Sequence, residues 1–276
     1  MVVNDSSTLS IIESGGDDIS SSSRFQIAKF VKNIIDLLSL NVTLGQTQIL
    51  CDQSLQVPYG QWCSVIGPSG CGKSTLLRAI AGLVPREASR CVTGFETPAF
   101  VFQDPTLMPW RSVWDNVRLP LELNCQKQEL LPTMDTSVIR DTLYKVGLEL
   151  KDFKKFPRQL SGGMRMRVSM ARALVTQPDI LFMDEPFAAL DELLRQQLNQ
   201  LIHEICQTRN LSTLFVTHNV SEAVYLSDRI LIMNQEGDLV SDIAISLPKD
   251  RVPELRGSNE YISQVNKVTS RLQEAL

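Results

Sequence analysis

Short runs of apolar residues alternate with longer stretches of helical periodicity along most of this chain. The apolar runs lie at residues 63–66, 180–183, 214–216 and 230–233. Residues 191–208 carry apolar side chains on one helical face, at Leu194, Leu198, Leu201, Ile202 and Ile205. Strands that are apolar on both faces and separated by helices are typical of a mainly parallel sheet covered by helices. The pattern therefore predicts an α/β fold.

Other parts of the chain depart from this alternation. Residues 1–23 are rich in Ser, Asp and Gly and contain no Lys or Arg, which predicts a disordered tail. Residues 25–38 fit a helix by the spacing of their apolar positions and a strand by their β-branched run, so both remain open. Residues 104–166 show helical patterns without a convincing strand, which predicts a helical insertion. His203 falls off the apolar stripe of its helix, and we expect it to face solvent.

Composition excludes several classes of protein. The chain has 276 residues, of which 27 are basic and 31 are acidic, and the resulting net charge of −4 argues against general nucleic-acid binding. Its six cysteines form no C-x-x-C pair, which argues against a zinc site or a disulfide framework. No apolar run approaches the roughly 20 residues that span a bilayer, and no secretory signal pattern opens the chain. These features predict a cytosolic protein with reduced thiols.

The clearest chemical motif lies between the first apolar run and a helical stretch. It consists of Gly67, Pro68, Ser69, Gly70, Cys71, Gly72, Lys73, Ser74 and Thr75, and it fits G-x-x-x-x-G-K-[ST]. The glycines let main-chain N–H groups turn towards phosphates, and the helix that follows adds positive potential. Lys73 supplies charge for the β- and γ-phosphates of ATP, Ser74 is expected to bind Mg²⁺, and Thr75 supports the loop. A strand, a glycine-rich loop and a helix in this order predict nucleotide binding.

Further polar residues stand where apolar runs end. Asp184 and Glu185 follow residues 180–183, His218 follows the run at 214–216, and Gln103 follows another apolar run. Such strand ends meet at the edge where α/β sheets bind ligands. Beside a phosphate loop, Asp184 and Gln103 are predicted ligands of Mg²⁺, and Glu185 is the predicted general base. His218 is predicted to contact the γ-phosphate, although in isolation it would be interpreted as a capping or core histidine.

With one further motif, these residues resemble the ATP-binding subunits of ABC transporters. That motif is Leu160, Ser161, Gly162, Gly163 and Met164, which is similar to the family signature. Ser161 precedes a helix opened by two glycines, which makes a second anion site. The resemblance implies a head-to-tail dimer in which each ATP lies between one chain's phosphate loop and the other chain's Ser161, Gly162 and Gly163. Residues 189–191 resemble the loop that crosses this interface.

The resemblance covers about residues 34–276 and implies the arrangement of the whole chain. We expect an ABC ATPase domain over residues 24–253, with a P-loop NTPase core formed by residues 34–103 and 167–246. An antiparallel β portion is expected near the N-terminus, a helical subdomain over residues 104–166, and a C-terminal helical tail over residues 254–276. Leu44 stands where the family usually has an aromatic residue that stacks on adenine. We therefore expect weaker or less selective adenine binding at Leu44.

Finer features resemble one group of importers. Residues 103–111 and 247–251, together with Met164, are similar to importers of nitrate, sulfonates, taurine, bicarbonate and thiamine precursors. The resemblance implies that the chain powers import of a small solute through a separate membrane permease, served by a solute-binding protein. It would act as a peripheral subunit on the cytoplasmic face of the inner membrane, where residues 108–111 would line the permease groove. The alternative is a soluble ABC ATPase acting on DNA or ribosomes, which the single phosphate loop and short insertion disfavour.

Overall fold

The computed structural model describes residues 33–127 and 136–276. The predicted tail at residues 1–23 lies outside the described residues, as do residues 24–32. The strands are β1 (Asn33–Leu44), β2 (Thr47–Pro58), β3 (Trp62–Ile66), β4 (Arg90–Thr93), β5 (Pro98–Phe102), β6 (Ile180–Asp184), β7 (Ser212–Val216), β8 (Arg229–Met233) and β9 (Leu239–Ala244). The helices are α1 (Lys73–Ile80), α2 (Val113–Lys127), α3 (Thr136–Lys145), α4 (Gly162–Leu174), α5 (Glu192–Arg209), α6 (Val220–Leu226) and α7 (Asn259–Glu274). Short 3₁₀ turns lie at Leu150–Asp152, Pro157–Gln159 and Pro253–Gly257.

The main sheet has six strands in the order β5-β6-β7-β3-β8-β9. The first five are parallel, and β9 pairs antiparallel with β8. Within β6, Leu181 and Met183 pack on one face of the sheet, while Ile180 and Phe182 pack on the other. Both faces of the strand are therefore buried, as its continuous apolar sequence requires. The predicted mainly parallel α/β fold is confirmed.

A separate antiparallel sheet lies near the N-terminus, in the order β2-β1-β4. Its first strand decides the question left open for residues 25–38 as far as the structure describes them. Ile35 pairs with Val57 on one side and with Thr93 on the other, so the β-branched run is part of a sheet. Of the described positions whose spacing also fitted a helix, Ile34 is buried in this sheet, whereas Leu38 is 50% exposed.

Helices occupy the stretch of sequence between β5 and β6. The described residues between 104 and 166 include α2, α3 and two 3₁₀ turns, and they contain no strand. Within the described residues, no helix is both long enough and apolar enough to cross a membrane. The five cysteines whose side chains are described are all free.

His203 corrects one expectation from the sequence. It lies on α5, but its side chain is only 3% exposed. Its ring stacks on the indole of Trp62 with 6.0 Å between centroids, and Tyr225 packs on it as well. Burial lowers the pKa of His203 to about 4, with a further lowering by the charge of Arg251. The expectation was wrong because the buried face of α5 extends beyond the apolar stripe to Asn199 and His203.

Candidate functional site

The predicted site residues follow the carboxyl ends of neighbouring strands. In the main sheet, Phe102 of β5 pairs with Asp184 of β6, and Asp184 pairs with Val216 of β7. Val216 also pairs with Val65 of β3. The register therefore brings the main chain just after each of these positions to one edge of the sheet. This edge is where the chain leaves the strands, at Gln103, Glu185, Thr217 and the start of the phosphate loop.

The phosphate loop is a tight turn closed by its own lysine. Lys73 is 4% exposed, and its Nζ donates hydrogen bonds to the main-chain oxygens of Gly67 at 3.0 Å and Pro68 at 2.7 Å. Gly72 caps α1 with φ of 105°, a conformation that favours glycine. A Cβ atom on Gly67 would overlap the main-chain oxygen of Met233. The loop thus requires its glycines for two separate physical reasons.

The loop leaves a cationic, donor-rich surface at the start of α1. The first-turn N–H groups of a helix attract anions, and the Lys73 ammonium adds a full charge beside them. Cys71 is buried next to this ammonium. Burial raises the pKa of the Cys71 thiol, although Lys73 partly opposes the shift, so the thiol stays protonated and packs as an apolar group.

Ser74 and Asp184 form a pair of oxygen donors at the end of the loop. The Ser74 Oγ donates a hydrogen bond of 2.6 Å to Asp184 Oδ1. Arg78, one turn further along α1, donates to Asp184 Oδ2 at 3.1 Å. A hydroxyl and a carboxylate are ligands that suit Mg²⁺, which completes its octahedron with water and substrate phosphates. The described residues contain no cluster of three or more His, Cys, Asp or Glu that would hold a metal unaided. The donor set therefore fits an ion that binds together with a nucleotide.

Glu185 and His218 meet just beyond the strand ends. His218 Nδ1 lies 2.9 Å from Glu185 Oε2, and both side chains are partly exposed. Glu185 has φ of 46°, which is uncommon for a residue other than glycine. Its N–H donates to the main-chain oxygen of Val216 at 2.9 Å, which fixes this turn. The turn takes Glu185 out of the pleat of β6 and directs it to His218 rather than into the core.

Ser161 caps α4 at a surface that the described residues of the chain leave open. Its Oγ accepts a hydrogen bond from the N–H of Met164 at 3.2 Å. Ser161 and Gly162 are exposed, whereas Gly163 is buried. A Cβ atom on Gly163 would lie 2.5 Å from Leu194 Cδ2, so a larger residue would collide with the start of α5. The N-terminus of α4 thus presents exposed donors of the kind that attract anions, separate from the phosphate loop.

All the predicted nucleotide and Mg²⁺ contacts stay predictions, and three of them have simple positions in the fold. Gln103 is exposed and directly follows the residue that pairs with Asp184. Leu44 is 42% exposed at the end of β1, next to the turn at Gly45. Thr75 lies in the first turn of α1 and is half-buried.

Comparison with known proteins identifies the family. The family model described as ABC transporter matches residues 50–188. The aliphatic sulfonates import ATP-binding protein SsuB 2 of Pseudomonas fluorescens is 39% identical over 240 residues, which cover 84% of this chain and 84% of that protein.

The chain belongs to the ABC transporter family.

Other relatives and solved structures of the family agree. The aliphatic sulfonates import ATP-binding protein SsuB of Zymomonas mobilis is 40% identical over 225 residues, which cover 79% of this chain and 89% of that protein. The dimeric ATP-binding cassette MJ0796, in a post-hydrolysis state with ADP and Pi, aligns with a TM-score of 0.66 at 25% identity. That alignment covers 78% of this chain and all of that one. CbiO1 of Clostridium perfringens shares the fold, with a TM-score of 0.69 at 22% identity over 88% of this chain and 98% of its own.

Sequence reasoning missed Arg78 as a neighbour of this ABC site. Its guanidinium bonds to Asp184 across 106 positions of sequence. The side chain is half exposed, so the ion pair contributes little to stability, but it holds one carboxylate oxygen while Ser74 bonds the other. One available signal was the position of Arg78, one turn after Ser74 on a helix that begins at the site.

Proposed function

We propose that this ABC chain binds MgATP and hydrolyses it to power import of a small solute through a separate membrane permease. The observation that supports this most strongly is the grouping at one sheet edge of a lysine-closed phosphate loop, a Ser74–Asp184 oxygen pair and a Glu185–His218 pair. These three features provide a binding site for phosphate, ligands for Mg²⁺ and a base for water. The sulfonate-import ATP-binding proteins that match most of the chain support the transport role.

Each side chain has a distinct role in this proposal. Lys73 would exchange its bonds to Gly67 and Pro68 for bonds to the β- and γ-phosphates. Ser74, Asp184 and Gln103 would hold Mg²⁺, which supplies charge neutralisation for phosphoryl transfer. Glu185 would accept a proton from the attacking water, and His218, bonded to that carboxylate, would contact the γ-phosphate.

The exposed start of α4 supports a dimer as the active form. Ser161 and Gly162 present main-chain N–H groups and a hydroxyl at the surface, where a second chain's ATP can reach them. In the proposed head-to-tail dimer, the loop at residues 189–191 crosses the interface beside them. The dimeric cassette MJ0796 with ADP and Pi supports such an arrangement.

The proposed permease contact lies on the helical stretch of sequence between β5 and β6. A groove of about 1080 Å³ is lined by Ser112, Trp114, Asp115, Leu150, Lys151, Phe153 and Lys154. Trp110, just before this groove, is 73% exposed, which is unusual for so large an apolar side chain. Arg111 is less suited to the contact, because its guanidinium bonds to Glu122 at 2.7 Å. We propose that a short cytoplasmic segment of the permease binds here.

The proposal extends to location and further partners. The chain would act as a peripheral subunit on the cytoplasmic face of the inner membrane, and a solute-binding protein would deliver the solute to the permease. The solute contacts would lie on those other chains. The relatives that import aliphatic sulfonates favour a small organic anion as the solute.

Phosphate release by the purified chain tests the catalytic part of the proposal. Wild type is expected to release phosphate from MgATP, and Glu185→Gln is expected to bind ATP normally but turn over about 10²–10⁴-fold more slowly, the usual loss for a general base. Binding is followed with a fluorescent ATP analogue in the same buffer. Equal rates for the two proteins would remove Glu185 from the proposed role, and no release by wild type would contradict the function.

A further inference from the structure

A partly buried ion pair lies next to the site without belonging to the phosphate-binding groups. Arg195 Nε, on α5, is 3.6 Å from Glu222 Oε1, on α6, and their side chains are 20% and 7% exposed. Taking two charges out of water is costly unless both are well bonded, so the other contacts of each partner bear on its role. Both partners here do make further bonds, and those bonds lead in two directions.

Glu222 fixes the residues on either side of His218. Thr217 Oγ1 donates to Glu222 Oε2 at 2.7 Å and accepts from the N–H of Asn219 at 3.0 Å. Asn219 Oδ1 in turn accepts from the N–H of Glu222 at 3.1 Å. Burial raises the pKa of Glu222, while the Thr217 hydrogen bond and the Arg195 charge oppose that shift. The carboxylate thus holds the turn from which His218 reaches Glu185.

Arg195 fixes the segment that follows Glu185. Its Nη2 donates to the main-chain oxygen of Leu190 at 2.8 Å, and its Nε donates to that of Phe187 at 3.4 Å. This segment also lies against the start of α4, because Leu190 Cδ2 is 4.0 Å from where a Cβ on Gly162 would be. The Arg195 guanidinium therefore connects the loop after Glu185, which lies beside the start of α4, to the carboxylate of Glu222. That carboxylate bonds Thr217, the residue before His218.

We propose that Arg195 and Glu222 are positioning residues for ATP hydrolysis, which set His218 against Glu185 through Thr217 and through the loop at residues 187–190. This inference rests on the proposed function. Neither residue is among the predicted nucleotide-binding groups, so the pair governs how fast bound ATP reacts rather than how tightly it binds. The Arg195 guanidinium suits this role because its planar fork bonds two main-chain oxygens and the exposed carboxylate of Glu192, while its charge lies 3.6 Å from Glu222 Oε1.

Steady-state kinetics of matched variants test the proposal. Arg195→Met and Thr217→Val are each expected to lower kcat by about ten- to a hundredfold, the loss that a small misplacement of reacting groups causes. KM for ATP should stay within about threefold of wild type, because binding groups are untouched. Thr217→Ser keeps the hydroxyl and should restore kcat. Arg271→Met breaks the exposed Arg271–Glu274 pair instead and should leave both constants unchanged.

A second background separates positioning from general damage. If the pair acts through His218, adding Arg195→Met to His218→Ala should cost no further kcat, whereas independent effects multiply. Multiplied losses would overturn the proposal, as would an unchanged kcat in Arg195→Met. The proposal would also be overturned if kcat, apparent ATP affinity and melting temperature all fell together and Thr217→Ser failed to restore them. Wild-type hydrolysis with an unaffected Arg195→Met overturns this inference alone, while absence of wild-type hydrolysis overturns the proposed function with it.

Discussion

Lys73 meets an incoming nucleotide with its ammonium already bonded to the loop. Replacing it with Met removes two hydrogen bonds, to the main-chain oxygens of Gly67 and Pro68, as well as the contact with phosphate. The loss of ATP affinity is therefore smaller than the full attraction between ammonium and phosphate, because wild type must give up the loop bonds to make that contact.

The size of the effect follows from these two contributions. A unit charge pair at 4 Å with an effective dielectric constant near 20 is worth about 4 kcal/mol. Two hydrogen bonds from a charged ammonium to carbonyl oxygens are worth at least about 1.5 kcal/mol each. The difference of about 1 kcal/mol corresponds to an affinity loss of about fivefold.

Calorimetric titration of Lys73→Met with MgATP measures this loss directly. Lys267→Met, which removes an exposed positive charge on α7, is the control and should bind ATP like wild type. Melting curves of both variants check that the loop change does not unfold the protein. A loss below about threefold would show that Lys73 does not contact the phosphates, and a loss above about a thousandfold would contradict the exchange of bonds.

Two further predictions concern stability and transport. The depressed pKa of His203 means that the unfolded chain binds more protons than the folded chain between pH 6.5 and about 4. The free energy of unfolding should therefore fall as pH drops through that window, by at most about 3 kcal/mol. Urea unfolding of His203→Gln should show less of this loss. Because a contacting Trp is often a dominant interface residue, Trp110→Ala should weaken permease binding by about 30-fold and leave phosphate release by the isolated chain unchanged. The control Leu38→Ala, which removes an exposed apolar side chain from the antiparallel sheet, should affect neither measurement. Normal permease binding by Trp110→Ala would show that Trp110 is not part of the interface.

The parts of the fold that depend on local sequence could be predicted. The strand 180–183 and the phosphate loop carry their own signals, since a run that is apolar on both faces and a glycine-rich turn before a helix have few alternative structures. The boundary of α1 was likewise predictable. The N–H of Gly82, which has φ of 74°, bonds to Ala79 and closes the helix where a glycine and a later proline indicate an end.

Features that depend on distant partners could not be predicted. His203 was expected at the surface because it lies outside the apolar stripe of its helix. Nothing near it in sequence reveals that Trp62 packs against it. The same holds for the Arg195–Glu222 pair, whose partners lie on two different helices. Charged residues on helices are usually solvated, so only the tertiary contacts single these out.

Disulfide crosslinking between two chains tests the shared ATP site most directly. One chain carries Ser161→Cys and the other Ser69→Cys, both in a Glu185→Gln background with the exposed Cys51 and Cys91 replaced by Ser. Because each chain has one introduced cysteine, a bond between these two positions can form only across the dimer; either chain alone is the control. The account predicts a crosslinked dimer in the mixture when ATP is added and none without nucleotide. No crosslink in the mixture, together with an ATP-dependent crosslink inside a single chain that carries both cysteines, would contradict it.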